Sequence, residues 1–452
     1  MTRSKHQFDL QSQPWREPSS WHLGYCTNIH PGTDVESIVG QLESISTQVR
    51  RLHHNGQTQR GEPTSNLSSG STPRSNNHKP LPIGLWLPSE ATRQLRRHGL
   101  DPLQQCLRKH HLLPYTINGF PYANFHAERV KHDVYHPTWW DDERLAYTRD
   151  LAKVLSELLP EDVMLGSIST LPLGWPTQRD SDGEETPVSE AERHHAGTNL
   201  RRLAEDLRML ENRTGKRIVV GIEPEPGCLL DTSGDVVAWF DAELPDPSHR
   251  RYLGVCHDVC HAAVMNETQM NVLTAYAEAE IMLTKMQISS AIVADWQSIA
   301  PESRQDAWSQ ISSFAEDRYL HQTGRIEANQ QFTLVDDLPE LLASELSADD
   351  QRWVTHFHVP VFTQSFGQLS TTQSAVIEAL DALIQLTDLK NAESSTAHKS
   401  SNGSEPELAF TGHFEVETYA WSVLPQSMRR SDLAGDIASE LSWVDQQIRE
   451  RL

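Results

Sequence analysis

The stretch RIVVGIEPE, residues 217–225, has the pattern of a buried strand that ends in two acidic side chains. Side chains along a strand point alternately to opposite faces, so Glu223 and Glu225 share one face, while Val220 and Ile222 lie on the other. The aliphatic face suits packing under helices, and the acidic face suits a site at the carboxyl end of the strand. This stretch therefore predicts one strand of a parallel α/β fold with polar chemistry at its end.

Eight further segments have a strand-like pattern, and helical patterns separate most of them. They are HLGYCTNI (22–29), PIGLWLP (82–88), LPYTING (113–119), MLGSIST (164–170), YLGVCHD (252–258), TKMQISSAI (284–292), THFHVPVF (355–362) and GHFEVETY (412–419). Strands that alternate with helices predict parallel α/β packing. The chain has neither of the glycine-rich motifs, G-x-G-x-x-G and G-x-x-x-x-G-K-[ST], that are typical of doubly wound nucleotide-binding folds. We therefore predict an α/β fold of the (β/α)₈ TIM-barrel type, with one of the nine segments belonging to an insertion.

The domain organisation follows from composition. We expect an N-terminal tail over residues 1–20 and a single TIM-barrel domain over residues 21–452. Three segments contain too few aliphatic residues to offset the entropy of ordering, so they are predicted to be disordered insertions. They are 53–80, 177–190 and 390–407, and a longer loop insertion is predicted over 296–352.

The charge balance disfavours several classes of partner. The 452 residues include 39 Lys and Arg against 62 Asp and Glu, a net charge of −23. Nucleic acids and anionic membrane surfaces attract basic proteins, so neither is an expected partner. The sequence has no secretory signal and no apolar run long enough to span a membrane, and its five cysteines lack a disulfide spacing. These features predict a cytoplasmic protein that is not embedded in a membrane.

The other strand ends carry the same kind of chemistry as residues 217–225. GVCHDVCH, residues 254–261, places Asp258 at a strand end and His261 three positions later. Its cysteines lack the C-x-x-C spacing of a redox pair, and no second pair is present to form a structural zinc site. Because the carboxyl ends of barrel strands lie at one face, we expect these side chains to form a single site there. The alternative is that each is a separate polar residue that takes part in no shared site. The side chains that this alternation places on the inward faces of four strand ends are Glu223 and Glu225; Asp258, with His261 close by; His356 and His358; and His413, Glu415 and Glu417. Such mixed ligands suit Zn²⁺ or Mn²⁺, with Mg²⁺ as an alternative.

Several distinctive stretches resemble the EboE family of bacterial metabolite-traffic proteins. They are HLGYCTNIHPG, NGFPYANFHAERVKHDVYHPTW, GSISTLPLGW, GIEPEPGCLLDTS, CHDVCHAAV, KMQISSA, RYLHQ, HFHVPVF and FEVETYAW, in order from about residue 21 to 424. The resemblance implies a xylose-isomerase-like TIM barrel, in a superfamily that includes sugar epimerases and endonuclease-type zinc phosphodiesterases. It also implies a membrane prenyltransferase-like partner and a link to the export of a precursor metabolite.

The resemblance further implies a metal site. Glu223, the Asp258 and His261 pair, and Glu417 match the superfamily's ligands, with Glu415 as the alternative to Glu417. Gln287 stands where the superfamily has a histidine, and His356 or His358 is expected to take over that role. The residues expected to contact the substrate are Asn28, His30, Asn118, Glu225, Gln287 and Glu415.

Three functions are consistent with these residues. The first is a metal-dependent sugar isomerase or epimerase acting on a small metabolite, in which Glu223 or Glu417 is catalytic and moves the proton. The second is a phosphodiesterase-like hydrolase of a small phosphorylated substrate. The third is a carrier without catalytic activity that hands a metabolite to the membrane partner. The fold alone does not choose among them, because barrels support many chemistries.

Overall fold

The computed structural model describes residues 21–59, 79–179, 184–387 and 407–452. Within these ranges the strands are, in chain order, β1 His22–Tyr25, β2 Leu81–Trp86, β3 Leu112–Asn118, β4 Leu165–Thr170, β5 Thr177–Arg179, β6 Glu185–Pro187, β7 Arg217–Ile222, β8 Leu253–Asp258, β9 Leu283–Ile288, β10 Ile292–Asp295, β11 Thr323–Glu327, β12 Phe332–Val335, β13 Asp350–Thr355, β14 Ser365–Phe366, β15 Leu369–Thr371 and β16 His413–Val416. The α-helices are α1 Val35–Gln41, α2 Thr47–Gln59, α3 Ser89–His98, α4 Asp101–His110, α5 Asp142–Leu158, α6 Glu190–Thr214, α7 Ser233–Glu243, α8 Pro247–Arg250, α9 Val259–Val264, α10 Gln269–Glu278, α11 Arg304–Ser312, α12 Leu338–Leu342, α13 Gln373–Leu386 and α14 Leu433–Arg449.

Eight of the strands form one parallel sheet in the order β1-β16-β9-β8-β7-β4-β3-β2. A parallel bridge between Cys26 and Gly84 connects the two edges of this sheet, so that it curls into a barrel. The helices cover the outside, where the aliphatic face of β7 contributes Val220 and Ile222 to the main apolar core. The predicted (β/α)₈ barrel is therefore confirmed, and eight of the nine predicted strand segments overlap its strands.

The interior of the barrel is layered, because every second residue of a strand points inward. Along β16, His413 lies deepest, and its Nδ1 is 2.8 Å from the hydroxyl of Ser167. Glu415 lies one layer higher, and Glu417, just beyond β16, lies at the carboxyl-terminal mouth of the barrel. On β9, Lys285 lies in the same layer as Glu415, and Gln287, two residues later, lies one layer higher. The mouth layer is therefore the one whose side chains can meet a ligand.

A buried ion pair fills the middle layer. The ammonium Nζ of Lys285 is 2.6 Å from Oε2 of Glu415, and both side chains are 0% exposed. Lys285 also donates to the hydroxyl of Ser169 at 3.0 Å. Burial alone would lower the pKa of Lys285, but the Glu415 carboxylate raises it above its ordinary value. The glycine at position 84 leaves room for this carboxylate, since a Cβ there would lie 1.3 Å from Glu415 Oε1.

The chain between β9 and α13 folds into an antiparallel sheet that covers the barrel mouth. Its six strands follow the order β12-β11-β13-β10-β15-β14. The segment 296–352, predicted to be a loop insertion, lies within this part of the chain and contains regular structure, including α11, α12, β11 and β12. The aromatic side chains of Trp296, Phe314, Trp353 and Phe357 belong to one buried apolar cluster.

Parts of the predicted disordered insertions are regular structure. Residues 53–59 continue α2, where His53 is buried and hydrogen-bonds Ser442 of α14 at 3.1 Å. The strands β5 and β6 pair as an antiparallel hairpin within the predicted insertion 177–190. The predicted tail 1–20 and the segments 60–78, 180–183 and 388–406 lie outside the described residues. Among the helices that the structure describes, none has both the length and the apolar character needed to cross a bilayer.

Replacing one partner of the buried ion pair should destabilise the barrel strongly. Lys285→Met leaves the Glu415 carboxylate buried without a counter-charge, which costs about 3–5 kcal/mol in comparable buried pairs. The double variant Lys285→Met/Glu415→Met removes both charges and should recover much of that loss. Urea unfolding of the parent, the single variants Lys285→Met and Glu415→Met, and the double variant measures this. A double variant that is as unstable as the sum of the two single variants would contradict the interpretation.

Candidate metal centre

Three carboxylates from separate strands meet at the barrel mouth. Glu223 follows β7, Asp258 ends β8 and Glu417 follows β16, and one oxygen of each lies within 4.8 Å of the others. Their exposed fractions are only 3%, 2% and 5%. These three side chains lie together in one layer of the barrel, as the two-residue alternation along their strands predicts.

The D-x-x-H spacing of Asp258 and His261 has a local cause. Asp258 is the N-cap of α9, and its Oδ1 accepts a hydrogen bond from the backbone N–H of His261 at 3.0 Å. The hydroxyl of Ser289 donates to the same Oδ1 at 2.6 Å. Because the cap uses Oδ1, the second oxygen, Oδ2, is left facing the centre. The first turn of α9 then carries the His261 ring to the same side.

Three side-chain amides hold Glu417 in place. Asn28 and Asn118 donate to its Oε1 at 2.5 and 3.0 Å, and Gln287 donates to its Oε2 at 2.7 Å. Gln287 thus lies behind Glu417 and positions it. His356 and His358 also reach the mouth, from the chain that follows β13.

The tautomers of the three histidines follow from their partners. His261 Nδ1 is 2.8 Å from the carbonyl oxygen of Pro224, and His358 Nδ1 is 2.9 Å from that of Glu417. A carbonyl oxygen only accepts hydrogen bonds, so both Nδ1 atoms carry the proton. His356 Nδ1 lies 2.8 Å from Oε1 of Gln322, whose Nε2 donates to the Pro226 carbonyl. In the neutral form of each ring the nitrogen without a proton is then Nε2, which points inward in all three.

These three Nε2 atoms converge. His261 Nε2 and His356 Nε2 are 3.2 Å apart, and His356 Nε2 and His358 Nε2 are 3.3 Å apart. In neutral imidazoles such contacts bring lone pairs together with no proton between them, which is unfavourable unless a cation lies nearby. This arrangement fits a bound metal ion, because ligating histidines donate their other nitrogen to an acceptor in the same way.

Unpaired carboxylate oxygens point to the same conclusion. Oε2 of Glu223, Oδ2 of Asp258 and Oε2 of Glu225 are buried and have no hydrogen-bond partner among the described residues. Buried polar atoms are almost always paired, so a group of unpaired oxygens indicates an ion. Three overlapping ligand groups share these atoms: Glu223, Asp258 and Glu417; Asp258, His261 and His358; and Glu225, His261 and His356.

The electrostatics show how unfavourable the cluster is by itself. Burial and the neighbouring carboxylates of Glu417 and Asp258 raise the pKa of Glu223 well above its ordinary value. Burial, with Asp258 and Glu415, raises the pKa of Glu417 to about 8. Burial opposes ionisation of Asp258 too, but the rings of His261 and His358 and the Ser289 hydroxyl outweigh it, so its pKa is lowered. Burial lowers the pKa of His358 to about 4.

The pocket above these residues has aromatic walls. Its lining includes Asn28, Asn118 and Glu225, as predicted from the sequence, together with the side chains of Phe120, Phe125, Tyr135, Tyr319 and Tyr419. The sequence analysis did not assign the aromatic residues to the site. The signal was present in the aromatic-rich segments NGFPYANF and RYLHQ, which lie outside the barrel strands.

Three predicted substrate contacts, Gln287, Glu415 and His30, are not among the residues that line this pocket, and Gln287 instead donates to Glu417. Glu415 is in the layer below, paired with Lys285, because it precedes Glu417 by two residues on an inward-facing strand. His30 turns toward the hydroxyl of Tyr25, 3.4 Å away.

Cys260 lies close to His356 and His358. Burial raises the pKa of its thiol well above the ordinary value, so it is a poorer ligand than its neighbours.

Among known proteins, this chain is similar only to solved structures in the comparisons made. No family model matches the sequence, and no curated protein matches it. The chain is similar to a xylose isomerase-like TIM barrel protein from Mycobacterium smegmatis in complex with magnesium, at 11% identity and a TM-score of 0.48, covering 96% of this chain and 99% of that chain. It is similar to the IOLI protein with a bound zinc atom, at 11% identity and a TM-score of 0.42, covering 95% and 99%. A third is the probable 3-DHS dehydratase AsbF, involved in petrobactin synthesis, from Bacillus anthracis, at 12% identity and a TM-score of 0.41, covering 94% and 99%.

The strand order of the chain itself defines the barrel, and membership of the EboE family stays a prediction. Fold and site together define a class: a TIM barrel whose mouth carries a candidate divalent-metal centre.

Without metal, the protein should lose stability as the pH rises from 7 to 8. The pKa of Glu417 is about 8 in the folded chain against 4.5 ordinarily, so the folded state keeps a proton that the unfolded state has released. Because the folded state binds more protons in this window, the free energy of unfolding falls with pH. Urea unfolding in EDTA at several pH values measures the slope. In Glu417→Gln the free energy of unfolding should depend less on pH. A free energy of unfolding that rises with pH in the parent would contradict the raised pKa of Glu417.

Proposed function

We propose that this protein is a divalent-metal-dependent isomerase or epimerase that moves a proton next to a carbonyl group of a small metabolite. The observation that carries the proposal is the convergence of unpaired carboxylate oxygens and unprotonated imidazole nitrogens at the floor of one pocket. Such a donor set fits Zn²⁺ or Mn²⁺ best, with Mg²⁺ as an alternative.

The residues divide between holding the ion and moving the proton. Asp258, His261 and His358 would hold it, and Glu417 would complete the set in the orientation that its three amide partners impose. A bound ion would draw electron density from the substrate's carbonyl oxygen and so favour loss of the adjacent proton.

Glu223 is the better of the two candidate bases. Its carboxylate lines the pocket, and its Oε2 has no hydrogen-bond partner in the described part of the chain, whereas Glu417 is fixed by amides on both oxygens. The raised pKa of Glu223 suits a group that must accept a proton and return it near neutral pH. The Glu417 carboxylate would help to raise the pKa of Glu223 and would orient the substrate.

A second candidate is a metal-dependent hydrolase of a small phosphorylated compound. The group of Glu225, His261 and His356 adjoins the carboxylates and would extend the centre beyond one ion, which favours this alternative. The third candidate, a carrier without catalysis, keeps the same pocket for binding alone. A cytoplasmic location and a membrane prenyltransferase-like partner belong to the proposal through the EboE resemblance.

The parent protein should purify with bound metal, and Asp258→Ala should not. Asp258 belongs to two of the three ligand groups, so its loss should lower metal affinity at least about 10–100-fold. Elemental analysis and the rise in melting temperature on adding Zn²⁺ or Mn²⁺ measure this. Glu90→Ala, an exposed position on α3, is the matched control and should behave like the parent. A metal-free parent whose melting temperature no divalent ion raises would overturn the metal centre.

Proton transfer is tested by isotope exchange. The metal-loaded protein in D₂O should incorporate deuterium next to the carbonyl of an accepted 2-hydroxy ketone or aldehyde from a small panel. Glu223→Gln should lower the exchange rate about 10²–10⁴-fold while it still binds the compound, because an amide cannot accept the proton. Phosphate release from phosphorylated compounds without any exchange would support the hydrolase. Binding with neither reaction would support the carrier.

A further inference from the structure

The pocket changes character between its floor and its walls. The floor carries the carboxylates and imidazoles of the candidate metal centre, while the walls are formed by Phe120, Pro121, Phe125, Val130, Val134 and Leu320, whose side chains have no hydrogen-bonding group. The unfilled space is about 530 Å³, part of which opens to solvent.

The three tyrosines of the wall have their hydroxyl groups engaged elsewhere. Tyr135 donates to Oε1 of Glu225 at 3.0 Å, and Tyr319 donates to the Phe125 carbonyl at 3.2 Å. The Tyr419 hydroxyl lies 3.5 Å from His356 Nε2 at the floor. These residues therefore line the pocket chiefly with the carbon atoms of their rings.

The remaining polar side chains of the lining lie at the floor or bond within the protein. The amide nitrogens of Asn28 and Asn118 both donate to Glu417 at the floor, where Oδ1 of Asn28 has no hydrogen-bond partner among the described residues. The ammonium of Lys131 is 2.5 Å from Asp337 Oδ2. A ligand that extends from the floor to the walls therefore meets hydrogen-bonding partners at one end only. A substrate hydroxyl buried against these walls would lack a partner, which weakens binding by about 10-fold for each such group.

We infer that the substrate joins an oxygen-bearing head, which reaches the metal centre, to a planar, apolar body that fills the aromatic half of the pocket. An open-chain sugar does not fit this division, because its several hydroxyl groups would face carbon. Flat rings also stack favourably on aromatic side chains. This inference rests on the proposed metal centre and narrows its substrate class.

Three hydroxamates test the inference on the Zn²⁺-loaded protein by calorimetry. They share the same metal-binding head and differ in the body: acetohydroxamate has a methyl group, benzohydroxamate a phenyl ring, and 2,3,4-trihydroxybutanohydroxamate a polyol chain. We expect benzohydroxamate to bind at least about 10-fold more tightly than acetohydroxamate, through burial of its ring. The polyol should bind no better than acetohydroxamate. A polyol that binds as tightly as benzohydroxamate would overturn the inference.

A conservative variant adds a check in which the fold is kept. Val134→Thr preserves the shape of the side chain and places one hydroxyl on the wall. It should therefore narrow the difference in affinity between benzohydroxamate and 2,3,4-trihydroxybutanohydroxamate. An unchanged difference would count against the wall as the source of the selectivity.

The outcomes separate this inference from the proposed function. If acetohydroxamate fails to bind the Zn²⁺-loaded protein, the proposed metal centre is wrong, and the substrate class falls with it. If acetohydroxamate binds and the phenyl ring adds nothing, the metal centre stands and only the substrate class is wrong.

Discussion

Repulsion among buried carboxylates is the constraint on which the barrel mouth depends. Glu223, Asp258 and Glu417 are each almost inaccessible to solvent, yet their oxygens lie within 4.8 Å of one another. The buried ammonium of Lys285, in the layer below, is already paired with Glu415. Like charges in a medium of low polarity interact strongly, so the cluster must either hold protons or bind a cation. The convergent histidine lone pairs favour the cation, because protons on the carboxylates would leave those nitrogens without a partner.

The antiparallel sheet supplies what the barrel lacks. The barrel strands contribute the carboxylates, whereas the segment after β13 contributes His356 and His358. A bound ion would therefore link two structural layers of the chain. The same covering layer brings Tyr319 over the pocket, where its hydroxyl bonds the Phe125 carbonyl of the loop after β3. The covering layer therefore contributes side chains both to the candidate metal centre and to the aromatic wall of the pocket.

The sequence was informative where a strict period applied. The two-residue alternation of strands was enough to place Glu223 and Asp258 on inward faces, and eight of the nine strand-like segments overlap barrel strands. The same alternation could not tell Glu415 from Glu417, because both point inward and only the depth of each layer in the barrel separates them. The antiparallel sheet was missed because its strands are short and its core depends on tryptophans that are far apart in the chain, such as Trp296 and Trp353. The aromatic walls were missed because loops have no period from which a shared face can be predicted.

The central claim is that a divalent ion binds between the barrel carboxylates and the imidazoles above them. Crystals of the protein grown with Zn²⁺ and examined at the zinc absorption edge test it most directly. The account predicts an anomalous difference peak about 2.0–2.2 Å from Oδ2 of Asp258 and from Nε2 of His261 or His358, distances typical of zinc with oxygen and nitrogen ligands. A well-ordered mouth without such a peak, or zinc bound only elsewhere on the molecule, would contradict it.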